Sequence, residues 1–187
     1  TDIFVVDTPF LIAKLEEEAA KEEPRKLRYV LRDLAVAENA FAYEYTGYLS
    51  NIHSVKAYFD ANLDMLESEK FYKLFAPNQK VYTKVKNEEP TYYADSSEVK
   101  LSQFASGSIV RGKVDNSVIS RNVDLSEGSS VSHSILFPRV KVAKGATVEY
   151  AIVDKGVEIA EGVTIRGTEN NPVVIKKGSV VTEDIVR

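Results

Sequence analysis

The stretch Ser117–Ile165, SVISRNVDLSEGSSVSHSILFPRVKVAKGATVEYAIVDKGVEIAEGVTI, decides the fold because it repeats. Gly128, Gly145 and Gly162 each fall 17 residues after the last, and apolar columns keep step with them. Val118, Ile135 and Ile152 form one column, and Ile119, Leu136 and Val153 the next. Val123, Val140 and Val157 form a third, and Leu125, Val142 and Ile159 a fourth. Val114, Val131, Val148 and Ile165 complete the set. Within a repeat the apolar positions step by five or six residues, as in Leu125, Val131, Leu136 and Val142. β-Branched residues at near-hexapeptide spacing, with SEG, AKG and AEG turns, describe a coil of three short strands. One coil cannot bury its inward row, but stacking at about 4.8 Å lays identical columns over one another. The spacing predicts a parallel β-helix.

The first 75 residues are patterned differently. DIFVVD, at 2–7, is a continuous apolar run of the kind found in buried strands. Thr8 and Pro9 then read as a helix cap and first turn, with Leu11, Ile12 and Leu15 on one face. A second helix is expected after Pro24, carrying Leu27, Val30, Leu31 and Leu34. AFAYEY, at 40–45, alternates as a strand. Ser54 opens a helix with Val55, Tyr58, Phe59, Leu63 and Leu66. A strand, helix, helix, strand, helix set cannot close a sheet by itself. It reads as the tail of a larger α/β domain at 1–75, followed by a polar linker at 76–96 and the β-helix at 97–187. The chain is therefore expected to be the carboxy-terminal portion of a longer protein.

Composition narrows the function. A net charge of −4 argues against a general nucleic-acid binder, since phosphate contacts require a basic surface. With no cysteine there is no thiolate nucleophile and no Cys-ligated zinc. No GxGxxG or Walker pattern is present. No apolar run is long enough to span a bilayer, and a cytoplasmic protein is the simplest expectation.

Three segments carry a resemblance. DIFVVDTPFLIAKLEE, GYLSNIHSVKAYFDANLDML and the repeat stretch together resemble the glucose-1-phosphate adenylyltransferase (ADP-glucose pyrophosphorylase) family of sugar nucleotidyltransferases. The second segment is similar to that family's GYWxDVGTxxxYxxANxDLL, and Ile152–Asp154 to an I-[IV]-D in its β-helix. The resemblance implies an α/β tail of a Rossmann-like nucleotidyltransferase domain followed by a left-handed parallel β-helix of hexapeptide repeats. It also implies glycogen biosynthesis, with magnesium as the cofactor of full-length catalytic subunits and no cofactor in this portion.

The departures point to lost catalysis. The family's aspartate, a metal ligand, is replaced here by Asn51, whose amide keeps one acceptor but loses the charge that holds magnesium against polyphosphate. The family's glycine two positions on is His53, and its tryptophan is Leu49. An acidic segment is replaced by PRKLRYVLRD, with Arg25, Lys26, Arg28 and Arg32. No catalytic residue is assigned. Asn51 is read as a degenerate metal-ligand position, and Asn51, His53, Arg25 and Lys26 as candidate sugar-phosphate contacts, each against a plainer role as turn residue or solvated helix face. This pattern resembles the regulatory, D-type subunits of Gram-positive bacteria, and implies a catalytic adenylyltransferase partner in a hetero-oligomer, with self-association through the β-helix. A competent nucleotidyltransferase in full length is the alternative, and a hexapeptide acyltransferase with His133 as general base is a further one.

Overall fold

Seventeen strands of two or three residues follow one another between Tyr92 and Val186 among the described residues. The computed structural model describes residues 3–37, 40–76, 78, 81–84 and 86–187. The strands form three parallel sheets of six, six and five strands, one on each side of a three-sided solenoid. The first side holds Tyr92–Tyr93, Ile109–Val110, Asp124–Leu125, Lys141–Val142, Glu158–Ile159 and Val180–Val181. The second holds Glu98–Lys100, Lys113–Asp115, Ser130–Ser132, Thr147–Glu149, Thr164–Arg166 and Ile185–Val186. The third holds Gln103–Phe104, Val118–Ile119, Ile135–Leu136, Ala151–Val153 and Val173–Ile175.

The register is the one the 17-residue period predicts. Leu125 pairs with Val142 and Val142 with Ile159. Val131 pairs with Val148 and Val148 with Ile165. Leu136 lies between Ile119 and Val153. These side chains point inward and are almost fully removed from water. Each contributes roughly 1.5–3 kcal/mol of transfer free energy, which is what allows strands this short to persist.

Two coils depart from the period. Leu125 and Val131 are six residues apart, whereas Val110 and Val114, which pair with them, are only four apart. The shortened corner contains Gly112, where an added Cβ would lie 2.3 Å from Ser129 Oγ and 2.5 Å from Ser129 O. At the other end Ile152 pairs with Val174, and the extra residues form a small loop closed by a Thr168–Asn171 bridge. The first strand, Tyr92–Tyr93, already pairs with Ile109–Val110, so the solenoid starts within the stretch that reads as linker.

A second kind of bonding runs along one corner. The N–H groups of Ser117, Ser134 and Ala151 donate to the hydroxyls of Ser102, Ser117 and Ser134 in the preceding coils, each at 3.1 Å. Each of these hydroxyls donates in turn to the carbonyl two residues before it, at 2.7 Å.

The chain divides into two compact units, Thr1–Thr46 and Gly47–Arg187. In the first, helix α1 (Thr8–Ala19) and helix α2 (Leu27–Ala37) are present. The cap of α1 is Asp7 rather than Thr8: its carboxylate accepts the Phe10 N–H at 3.1 Å, and Thr8 is already helical. Neither predicted strand forms. Residues 3–7 and 40–45 carry no strand, and Val5, Phe41 and Tyr43 are 100%, 95% and 90% exposed. Asp2, which opens the first of these runs, lies outside the described residues. A strand needs a neighbour to take its backbone bonds, and this unit holds no sheet among its described residues.

The second unit opens with helix α3 (Val55–Leu63), a 3-10 turn (Asp64–Leu66) and helix α4 (Ser68–Leu74). Ser54 caps α3 as its sequence predicts, its hydroxyl accepting the Ala57 N–H at 3.1 Å. The helix is seated on the solenoid's third side. There the outward residues Ile135 and Ile152 are buried together with Phe59, and Tyr58, Leu63, Val118, Phe137 and Tyr150 pack around them. Among the described residues no helix is long and apolar enough to cross a membrane.

Candidate functional site

The turn before α3 is built by backbone economy. His53 N–H donates to Asn51 O at 3.1 Å, and the His53 ring nitrogen Nδ1 lies 3.0 Å from the same carbonyl. That double use closes a tight bend, with Asn51 and His53 both exposed. Behind it, Tyr48 Oη donates to Asp64 Oδ2 at 2.9 Å, and Lys70 Nζ donates to Asp64 Oδ1 at 2.6 Å and to Glu67 at 2.8 Å. Burial, then the bond to Asp64, pushes the Tyr48 phenol above its usual range. The bonds to Asp64 and then Glu67 raise the Lys70 ammonium as well. The bend is thus pinned to the helical segment that follows it.

What the bend lacks is charge of the right kind. Gly47–His53 offers a phenol, a hydroxyl, an amide and an imidazole, with no carboxylate. Magnesium takes near-octahedral oxygen coordination and is ordinarily anchored by one or two carboxylates beside waters and substrate phosphates. Among the described residues no group of three or more His, Cys, Asp or Glu is placed to hold a metal. The residues of this turn do not fit a magnesium ion.

Arg25 and Lys26 belong to the first unit, where the structure gives Arg25 another task. Its guanidinium donates to Glu18 Oε1 at 2.8 Å, to Glu18 Oε2 at 3.0 Å and to Asp33 Oδ2 at 2.6 Å. Glu18 is buried, and Lys21 also bonds to it. The bonds from Arg25 and then Lys21 hold the Glu18 carboxyl well below the usual carboxylate range. Arg25 is a brace between the two helices, and an incoming phosphate must displace two carboxylates to use it. Lys26 is exposed at the start of α2.

His133 sits at a corner of the solenoid with φ 44°, one of a column with Leu101, Asn116 and Tyr150 at 44°, 44° and 48°. Its ring stacks on that of Tyr150, centroids 4.8 Å apart and planes inclined by 20°. Its Nδ1 is buried without a hydrogen-bond partner among the described residues. A general base is held in its working tautomer by a group on its second nitrogen, and among the described residues no side chain or carbonyl plays that part for His133.

One feature of the site has a sequence signal that periodicity alone leaves unread. The columns Val118–Ile135–Ile152 and Ile119–Leu136–Val153 are adjacent, so they cannot both face inward. The first faces outward, and an apolar outward column on a solenoid marks a covered side. The cover is α3.

Comparison with known proteins agrees with this architecture. The chain is 40% identical over 141 residues to the glycogen biosynthesis protein GlgD of Bacillus subtilis, a match covering 75% of this chain and 41% of that protein. It is 52% identical over 127 residues to GlgD of Geobacillus stearothermophilus, covering 68% of this chain and 37% of the relative. It is 28% identical over 131 residues to glucose-1-phosphate adenylyltransferase of Thermosipho africanus, covering 69% of this chain and 32% of the relative. The chain therefore spans about two fifths or less of the length of these relatives. Residues 86–186, more than half of the chain, match the family described as GlmU-like, C-terminal hexapeptide. On that match the chain belongs to the GlmU-like, C-terminal hexapeptide family.

Proposed function

We propose that this chain is the carboxy-terminal part of a regulatory, catalytically degenerate subunit of glucose-1-phosphate adenylyltransferase in glycogen biosynthesis. The observation that carries this reading is the turn at 47–53, where Asn51 replaces the acid and no carboxylate stands in for it. The identity to proteins named for glycogen biosynthesis supports the pathway. In this reading residues 1–75 are the tail of an α/β nucleotidyltransferase domain and the solenoid is left-handed, as hexapeptide coils are. Asn51 and His53 contact sugar phosphate through hydrogen bonds without a metal ion between, and Lys26 is the freer of the two basic candidates.

The partner is a catalytic adenylyltransferase subunit, and the location is cytoplasmic. Regulation then means biasing the partner's site through contacts that differ between two states. Self-association is supported by the open amino-terminal end of the solenoid. There the strands Tyr92–Tyr93, Glu98–Lys100 and Gln103–Phe104 each present an unpaired edge among the described residues, and the inward-pointing Tyr93 and Val99 stay 46% and 42% exposed.

The test is pyrophosphate release from ATP and glucose 1-phosphate by the full-length protein that carries this chain, alone and with a catalytic subunit from the same organism. No activity alone, with a changed rate or substrate affinity in the mixture, is the expected result. Robust activity alone overturns it and assigns a competent sugar-phosphate nucleotidyltransferase.

A further inference from the structure

Three coils of the solenoid repeat a charge pattern that its core does not need. On the first side the outward residues Asp124, Lys141, Glu158 and Val180 are paired coil to coil. Three residues before them, at one corner, stand Arg121, Pro138, Lys155 and Lys177. Three residues after them, at the next corner, stand Glu127, Lys144, Glu161 and Glu183. Arg121 with Glu127, Lys155 with Glu161, and Lys177 with Glu183 each set a cation on one edge and an acid on the other. The coil of Lys141 is the exception, with Pro138 and Lys144, and Arg139 adds a further cation to the first edge.

The chain itself leaves these charges idle. Lys155, Lys177, Glu127, Glu161 and Glu183 are exposed and join no ion pair among the described residues. Arg121 has a distant one, 3.7 Å to Glu88. The strip between the edges is already neutral: Arg111 pairs with Asp124 at 2.8 Å, and Lys141 with Glu158 at 2.7 Å. The side therefore carries a positive edge, a neutral strip and a negative edge, all repeating at the coil pitch of about 4.8 Å.

An occupant that answers this pattern presents the reverse order of charge at the same pitch. The side does so itself when turned to face its own copy. A two-fold axis along the solenoid keeps each coil at its level and exchanges the two edges. Arg121 then meets Glu127 of the second copy, Lys155 meets Glu161 and Lys177 meets Glu183, and each pair occurs twice. A two-fold axis across the solenoid would set like edges together instead. A phosphate or a nucleic acid answers the positive edge alone.

We propose that the first side of the solenoid is a self-association face, on which a second copy of this chain packs in parallel through these three charge pairs. The face is small, about 24 Å along five coil steps, so the association is weak and rests on charge. It gives self-association a surface separate from the open amino-terminal end, and it does not rest on the glycogen reading.

The test is sedimentation equilibrium of the chain at low and at high salt, beside two charge reversals. One variant carries Lys155→Glu and Lys177→Glu, the other Glu161→Lys and Glu183→Lys. The parent is expected to dimerise at low salt, with affinity reduced roughly tenfold at high salt. Each reversal alone should lose the dimer, because like charges then oppose, and an equimolar mixture of the two should recover it. Protected amides at Ile159 and Val181 report that each variant keeps its coils. Should a reversal lose that protection, the neutral variants Lys155→Gln and Glu161→Gln decide, each expected to weaken the dimer roughly threefold. A monomeric parent, a dimer indifferent to these substitutions, or no recovery in a folded mixture each overturns the proposal. Indifference would return self-association to the open end, so the two surfaces fail separately.

Discussion

Ser134 receives and passes on a hydrogen bond between coils: its N–H donates to Ser117 Oγ at 3.1 Å, and its own hydroxyl accepts the Ala151 N–H at the same distance. Both serines are buried. Removing the Ser134 hydroxyl leaves a buried N–H without a partner, a loss of about 1–3 kcal/mol. Ser134→Ala should lower the urea midpoint accordingly, whereas Ser130→Ala, on the outer side, should change stability by no more than about 0.5 kcal/mol. Equal effects of the two would show that the serine corner contributes nothing of its own.

Phe59 is 1% exposed because it is sandwiched between its helix and the outward isoleucines. Phe59→Ala should cost about 3–5 kcal/mol where the site does not collapse. The loss should be local. Hydrogen exchange is expected to accelerate in α3 while the inward strand residues Val131 and Val148 keep their protection. Ile135→Lys should reproduce the pattern from the other side of the contact.

Gly112 is the price of a corner two residues short. Gly112→Ala drives a Cβ into the Ser129 backbone and hydroxyl, and overpacking of this kind costs about 1–3 kcal/mol. Thermal or urea unfolding of the variant measures it. A neutral substitution would mean that the corner relaxes without disturbing the next coil.

The pH dependence of the first unit should centre on Glu18. Its carboxyl is held below the ordinary value of 4.5 by the bonds from Arg25 and Lys21. A depressed folded-state pKa gives stability that is present above the ordinary pKa and lost as pH falls toward the folded one. Amide exchange in α1 and α2 should therefore be faster in Glu18→Gln than in the parent at pH 7, and the gap should close as the solution is made acidic. A gap that stays constant with pH would assign Glu18 a packing role alone.

How far each part could be read in advance follows from how local its causes are. Leu125, Val142 and Ile159 recur at one spacing because each meets the same neighbour in the next coil, and so the register was visible as periodicity. The seat of α3 was half visible, since Val118, Ile135 and Ile152 form an apolar column with nothing yet named to cover it. The strands expected at 2–7 and 40–45 are absent from the described residues 3–7 and 40–45 for the opposite reason. Their apolar patterns describe what a sheet would bury, and pairing partners are not a local property. At the candidate turn, the absence of any carboxylate between Gly47 and His53 was plain in the sequence. The engagement of Arg25 by Glu18 and Asp33 was not, because it depends on how two helices meet.

A helix lying on a periodic surface has no intrinsic address. Val118, Ile135 and Ile152 offer Phe59 nearly the same berth in three successive coils, so aliphatic contact alone would let α3 slide by one coil at little cost. What breaks the degeneracy is the pair of aromatics beside the berth, Phe137 and Tyr150, whose equivalents one coil earlier are Ser120 and His133. These two rings act as a latch on an otherwise uniform rail. Exchanging them with their counterparts should move the helix along the rail by one coil.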